Sequence, residues 1–159
     1  MRAKFVTRIL SMGLPVDRQI IRLNTSHLSD IETLLQNCEL PFEDCNEHLD
    51  CFFGVTSGDK LHAIGALQTL GSVALLRSIA VLPEDRGKGL AGIITQYLLD
   101  LARSKGIVEL YLLTETAENY FTRFGFRIVD RDTVADEIKS TRQYTSLCPS
   151  SAQAMRLPL

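Results

Sequence analysis

The spacing of apolar residues changes character along the chain. Residues 18–24 (RQIIRLN) read as a strand, and Leu28, Ile31, Leu34 and Leu35 then recur at helical spacing. Thr25 or Ser26 is placed to cap that helix, and Pro41 is placed to end it. Three strand-like runs follow, at 51–56, 61–70 and 73–82. They are separated by the turns Ser57-Gly58-Asp59-Lys60 and Gly71-Ser72, so they predict an antiparallel meander. Beyond Leu82 the rhythm alternates. A helix over 90–104 closes at Lys105-Gly106, and 108–114 is a continuous apolar strand of the kind buried on both faces. A short helix over 117–124 stops at Gly125, and a strand follows over 126–130. A helix over 133–141 and a last strand over 153–157 complete the pattern. Strand, helix, strand in this half implies right-handed crossovers and parallel pairing, giving one mixed α/β domain.

Composition narrows the class. The 159 residues suffice for one domain with a real core, and 23% charged with 45% hydrophobic residues is a globular balance. A net charge of -2 supplies no basic field for nucleic acid, and no apolar run reaches membrane-spanning length. Four cysteines, Cys38, Cys45, Cys51 and Cys148, are few for a disulfide framework and fit a reducing, cytoplasmic setting. Residues 1–17 carry Arg2, Lys4 and Arg8 and no acid before Asp17; Arg8 breaks the apolar core a signal peptide needs. They are expected to be a disordered leader ahead of a domain at 18–159.

The chemistry concentrates in Arg86-Gly87-Lys88-Gly89-Leu90-Ala91, where a strand gives way to a helix. Capping preferences call for Ser, Thr, Asp or Asn there, and glycine is a poor helix former. Bare backbone at a helix start leaves N–H groups open to an anion, and Arg86 and Lys88 add positive charge. A polyphosphate cradle and a plain tight turn both fit these six residues. The phosphate motif G-x-x-x-x-G-K-[ST] is absent, as is a dinucleotide G-x-G-x-x-G with its acidic partner.

Arg86-x-x-Gly89-x-Ala91, after the strand LLRSIAVLP, resembles the [Q/R]-x-x-G-x-[G/A] motif of the GNAT superfamily of acyl-CoA-dependent N-acyltransferases. The stretch 109–126 (ELYLLTETAENYFTRFGF) is similar to that family's later strand and helix, with Ala117 eight residues before Gly125-Phe126. LLRSIAVLPEDRGKGL, LYLLTETAENYFTRFGF and the tail STRQYTSLCPSSAQAMR also resemble GNAT proteins associated with arsenic-resistance operons. The resemblance implies a three-layer α/β fold whose mixed sheet splays between 73–82 and 108–114, with helices on both faces. It implies acetyl-CoA as co-substrate, without a metal. The pyrophosphate would meet Arg86, Gly87, Lys88, Gly89, Leu90 and Ala91, and the pantetheine arm would pair with the backbone of Ile79, Ala80 and Val81. The implied activity is acetyl transfer to the amine of a small molecule, an arsenical or another amino-acid-like toxin, by a cytoplasmic monomer or homodimer. An idle acyl-CoA-binding module and a protein acetyltransferase are the alternatives.

Many GNAT enzymes carry a tyrosine four residues before the glycine of the G-F pair; here that position is Phe121. Tyr120 lies about 100° away around a helix and reads as a packing residue. No acid or base is fixed by the sequence, and Glu115, Tyr144 and Cys148 are the catalytic candidates. Glu43, Asp44 and Glu47 form an acidic stretch after Pro41, a candidate segment for acceptor recognition. Arg77 interrupts an apolar strand and must find an anion, either an acidic group of the acceptor or a core carboxylate. Its strand face is expected to be that of Ile79 and Val81. With Ser78 and Thr114, beside the expected opening, it is assigned to the acceptor. Cys45, His48 and Cys51 stand three apart but match no structural zinc pattern, and inert burial is the expectation.

Overall fold

The computed structural model describes residues 14–159. One seven-stranded sheet runs in the order β1-β2-β3-β4-β5-β7-β6. Its strands are β1 (Gln19–Arg22), β2 (Phe52–Ser57), β3 (Lys60–Leu70), β4 (Val73–Val81), β5 (Glu109–Thr114), β6 (Arg127–Val129) and β7 (Gln153–Pro158). The first four form the antiparallel meander, with β1 at its edge. β4 and β5 are parallel, joined through α2 (Leu90–Ser104). β5 and β6, linked by α3 (Glu118–Thr122), do not pair directly; β7 lies between them, antiparallel to both. Alternation alone could not foresee that insertion, because the inserted strand is the last in the chain.

Helices cover both faces. On one, Ile94, Leu98, Leu99 and Ala102 of α2 pack on Leu67, Ala74, Leu76, Leu110 and Leu112. On the other, Ile31, Leu34 and Leu35 of α1 (Leu28–Asn37) pack on Phe52, Ile64, Ala66 and Ala80. Beside them, Ile138 of α4 (Asp136–Lys139) packs with Val134 on Val73, Leu75, Tyr111 and Ala154. Each such side chain fully buried contributes about 1.5–3 kcal/mol, so truncating Leu98, which has no exposed surface, would cost about 2–5 kcal/mol.

Local chemistry shifts several boundaries. Asn24, not Thr25 or Ser26, is the cap: its Oδ1 accepts from the Ser26 N–H at 2.9 Å and starts a 3-10 turn that leads into α1. α1 ends at Asn37, before Pro41, and Glu39 turns the chain away with φ 56°. The helix expected over 133–141 is only the four residues of α4, because Val134 and Ala135 stay extended. That geometry puts Val134, 4% exposed, into the core.

Two features open the sheet. β4 pairs with β5 only over Val73, Ala74 and Leu75, yet β4 runs on to Val81 and β5 to Thr114, so the strands part beyond Leu75 and Tyr111. β4 also carries a bulge: Ile64 faces Ala80, whereas Ala66 faces Arg77, and Ser78 takes φ 61°. A non-glycine residue in the left-handed region is strained, and such strain gathers at functional sites. Opposite the bulge is Gly65, where a β-carbon would lie 2.7 Å from Ile79 and 2.8 Å from Leu98.

Candidate active site

The bulge decides which face each β4 side chain takes. An extra residue reverses the alternation. Ile79 therefore packs toward α2 and Val81 toward Leu90 and Ile93, while Ala80 joins the α1 face. Arg77, opposite Ala66, lies on the α1 face as well. The expectation that Arg77 shares a face with Ile79 and Val81 is thus corrected; plain alternation fails at Ser78.

Arg77 has a partner the sequence did not name. Its Nη1 donates to Asp44 Oδ2 at 2.6 Å and to Gln68 Oε1 at 3.3 Å, and its Nη2 donates to Asp44 Oδ1. The two side chains are 2% and 1% exposed, so this is a buried bidentate pair. Burial pushes the Asp44 carboxyl up, but the Arg77 hydrogen bonds and charge outweigh it and hold it below its ordinary value. The geometry is that of the structural ion pair, with no guanidinium edge left open toward Asp44. Nε reaches only Ser78 Oγ, at 3.4 Å.

On the α2 face a cleft of about 420 Å³ opens at the helix start. Val81, Arg86, Gly87, Gly89, Leu90 and Ala91 of the expected set line it, joined by Asp85, Gly92, Tyr120, Arg123 and Phe124. Gly87 and Gly89 have φ 77° and 80°, and a β-carbon on either would meet nothing among the described residues within 4 Å. No side chain caps α2. The glycines thus serve backbone conformation and leave open space above the helix start, where unpaired N–H groups and the dipole favour an anion. Lys88 reaches back to Asp85 at 3.1 Å, and Arg86 Nη2 lies 3.5 Å from Cys38 Sγ. Ile79 and Ala80 do not line this cleft. Their strand passes beside it, and among the described residues its β5-facing edge has no strand partner beyond Leu75.

Phe121 is 8% exposed and packs edge-on against Phe126, with centroids 6.0 Å apart. Tyr120 packs on Phe121 and Phe124, as expected of a packing residue, but it also forms cleft wall. Its hydroxyl lies 3.9 Å from where a Gly92 β-carbon would stand. The Tyr120 and Thr95 hydroxyls approach each other short of full hydrogen-bond geometry, and neither has another partner among the described residues. Burial raises the Tyr120 phenol, which keeps it protonated and able to donate.

Each catalytic candidate has its own setting, with Glu115 close enough to Cys148 for its charge to bear on that thiol. Tyr144 donates its hydroxyl to the Arg131 carbonyl at 3.1 Å and stacks under the Arg131 guanidinium. Cys148 Sγ donates to Gln143 Oε1 at 3.0 Å, and burial pushes its thiol up, the wrong direction for a nucleophile. Glu115 is exposed just past β5. Thr114 ends β5 and its Oγ1 accepts from the Ala117 N–H at 3.0 Å, fixing the turn into α3. Cys45 is fully buried with its thiol pushed up to about 12, and burial pushes Cys51 up to about 11. No cluster of metal-ligating side chains occurs among the described residues. No helix among them is long and apolar enough to cross a membrane.

Fold and cleft define an α/β protein with a bare, positively flanked helix start beside an opened strand edge. The chain belongs to the acetyltransferase (GNAT) family, whose sequence model matches residues 21–126. Rv2747 from Mycobacterium tuberculosis, solved in complex with CoA and NLQ, superposes with a TM-score of 0.74 at 22% identity, covering 89% of this chain and 99% of that one. N-acetylglutamate synthase from Neisseria gonorrhoeae, complexed with coenzyme A and N-acetyl-glutamate, gives 0.78 at 17% identity, covering 92% of this chain and 36% of that one. An acetyltransferase from Streptococcus agalactiae gives 0.72 at 16% identity, covering 91% and 100%. No curated protein matches the chain.

Proposed function

We propose that the protein transfers an acetyl group from acetyl-CoA to the amine of a small molecule. The observation that carries this reading is the conjunction at the end of β4. A strand edge loses its partner beyond Leu75, and a helix start with two left-handed glycines follows at once. An amide-bearing arm can complete such an edge, and a pyrophosphate can lie on such a helix start. CoA has both parts in that order. In this reading Gly87 to Ala91 and the side chains of Arg86 and Lys88 meet the phosphates, while the backbone of Ile79, Ala80 and Val81 meets pantetheine.

Reaction requires a neutral amine, support for the oxyanion and departure of the CoA thiolate. The acceptor would meet the thioester where β4 and β5 part, near the bulge at Ser78 and the end of β5 at Thr114. A thiol of ordinary pKa about 8.5 leaves without a strong acid, consistent with phenylalanine at position 121. The acceptor class we favour is an α-amino-acid-like amine. The neighbour complexed with N-acetyl-glutamate supports it, as does the tail that resembles arsenic-operon GNAT proteins, which adds amino-bearing arsenicals to the set. The chain would act in the cytoplasm.

The test is acetyl-CoA turnover against a panel of amino acids, glutamate-like toxins, aminoarsenicals and lysine peptides. Transfer to small α-amines with CoA release is the expected result. CoA binding without turnover on any amine would instead identify an idle acyl-CoA module, and transfer confined to peptides a protein acetyltransferase.

A further inference from the structure

Asp85 stands directly before the glycine loop, ends a 3-10 turn opened by Pro83, and is 3% exposed. Its Oδ1 accepts from Arg18 Nη2 at 3.0 Å and Lys88 Nζ at 3.1 Å; its Oδ2 is 2.7 Å from His62 Nδ1. The far side of the ring is held in turn, with Ser57 Oγ 2.6 Å from His62 Nε2. One carboxylate therefore ties the chain before β1, the start of β3 and the loop itself. The His62 hydrogen bond leads in holding it well below its ordinary pKa, so it is ionised.

A carboxylate in the wall of an anion cleft is an unfavourable choice unless it does something else. Alone it would repel a pyrophosphate. Here it is outnumbered by Arg18 and Lys88, with Arg86 beside it in the cleft wall. The order serine, histidine, aspartate also matches a hydrolytic relay. However, Asp85 is shared with two cations, and Ser57 stands at an exposed two-residue hairpin turn. The arrangement is a brace.

We propose that Asp85, held by His62 and Ser57, is a positioning residue for the acyl-CoA phosphates. It sets the height of the glycine loop by tying Lys88 of the loop and Arg18 before β1 to one carboxylate. This rests on the reading of that cleft as the acyl-CoA site. Asp85→Asn leaves one oxygen for the donors that now share two, so the loop loses its register; it also removes a negative charge from the cleft. The two consequences have opposite signs for CoA affinity, which makes the direction decisive. His62→Leu unseats Asp85 without altering the charge of either cation, and His62→Gln restores a donor to it.

The experiment measures acetyl-CoA affinity by calorimetry, steady-state constants for both substrates, and thermal melting, on the wild type and these variants. The expected result is a rise of about tenfold in Kd and KM for acetyl-CoA in Asp85→Asn and His62→Leu, with kcat at saturation within about threefold and acceptor KM unchanged. His62→Gln recovers most of the loss. Tighter binding in Asp85→Asn, or affinity within about twofold of wild type in folded His62→Leu, overturns the proposal. If Asp85→Asn does not fold, the His62 pair decides alone. Wild-type protein that binds no acetyl-CoA overturns the functional reading and this one with it. Equal binding in wild type and variants overturns this one only.

Discussion

Replacing Arg77 by alanine strands Asp44, a carboxylate 1% exposed, with the half-buried His48 ring 3.7 Å away beside it. Breaking a buried pair by removing one partner costs about 3–5 kcal/mol. A domain of this size has about 5–15 kcal/mol in all and loses about 2–4 °C per kcal/mol, so the melting temperature should fall by about 6–20 °C. Arg77→Lys keeps the charge but loses the two-point grip on Asp44 and should fall part of the way. The double variant Asp44→Leu with Arg77→Met removes both charges and should recover most of the loss, because apolar replacement of a buried pair is often neutral. CoA affinity should change little, since Arg77 faces away from the α2-side cleft. Differential scanning fluorimetry and urea titration, run beside acceptor kinetics, settle the matter. A melting temperature within about 2 °C of wild type in Arg77→Ala, with a strongly raised acceptor KM, would refute the structural role and return Arg77 to the substrate.

Tyr120→Phe should keep kcat within about tenfold, because the hydroxyl borders Gly92 of α2 in the wall of the glycine-loop cleft; a loss of about a hundredfold would assign it general acid duty instead. Acid should destabilise the fold in a defined window. Asp44 and Asp85 both have folded pKa values below the unfolded value near 3.8, so their stabilisation is full above about pH 4–5 and is lost as pH falls through the folded values. Urea unfolding from pH 7 to about pH 2.5 should therefore show a shallower acid slope in Asp85→Asn than in wild type, and identical slopes would contradict the assignment.

The elements were legible where local rules act alone. The span of α2 follows from its apolar repeat and its Lys105-Gly106 stop, and the meander follows from its turns. The glycine loop was legible because two glycines at a helix start contradict capping preference. What escaped was set by contacts distant in sequence. Asp44 lies 33 residues from Arg77, and Arg18 lies 67 from Asp85, so neither pair leaves a local pattern. The bulge at Ser78 has no glycine to announce it, and one unannounced residue was enough to put Arg77 on the wrong face. The insertion of β7 beside β5 was hidden for the same reason: its partner precedes it by about forty residues.

In the proposed function the helix start at Gly89 receives the phosphates of acyl-CoA. Calorimetric titration of CoA into wild type and Gly89→Asp tests it most directly, with melting curves to show that both are folded. Position 89 has φ 80° and open space above it, so the aspartate side chain projects into the cleft and carries a negative charge to the phosphate position. The expected result is micromolar-range binding to wild type and a loss of about a hundredfold or more in the variant, the combined effect of strain, blockage and like-charge repulsion. Unchanged CoA affinity in folded Gly89→Asp would contradict the placement.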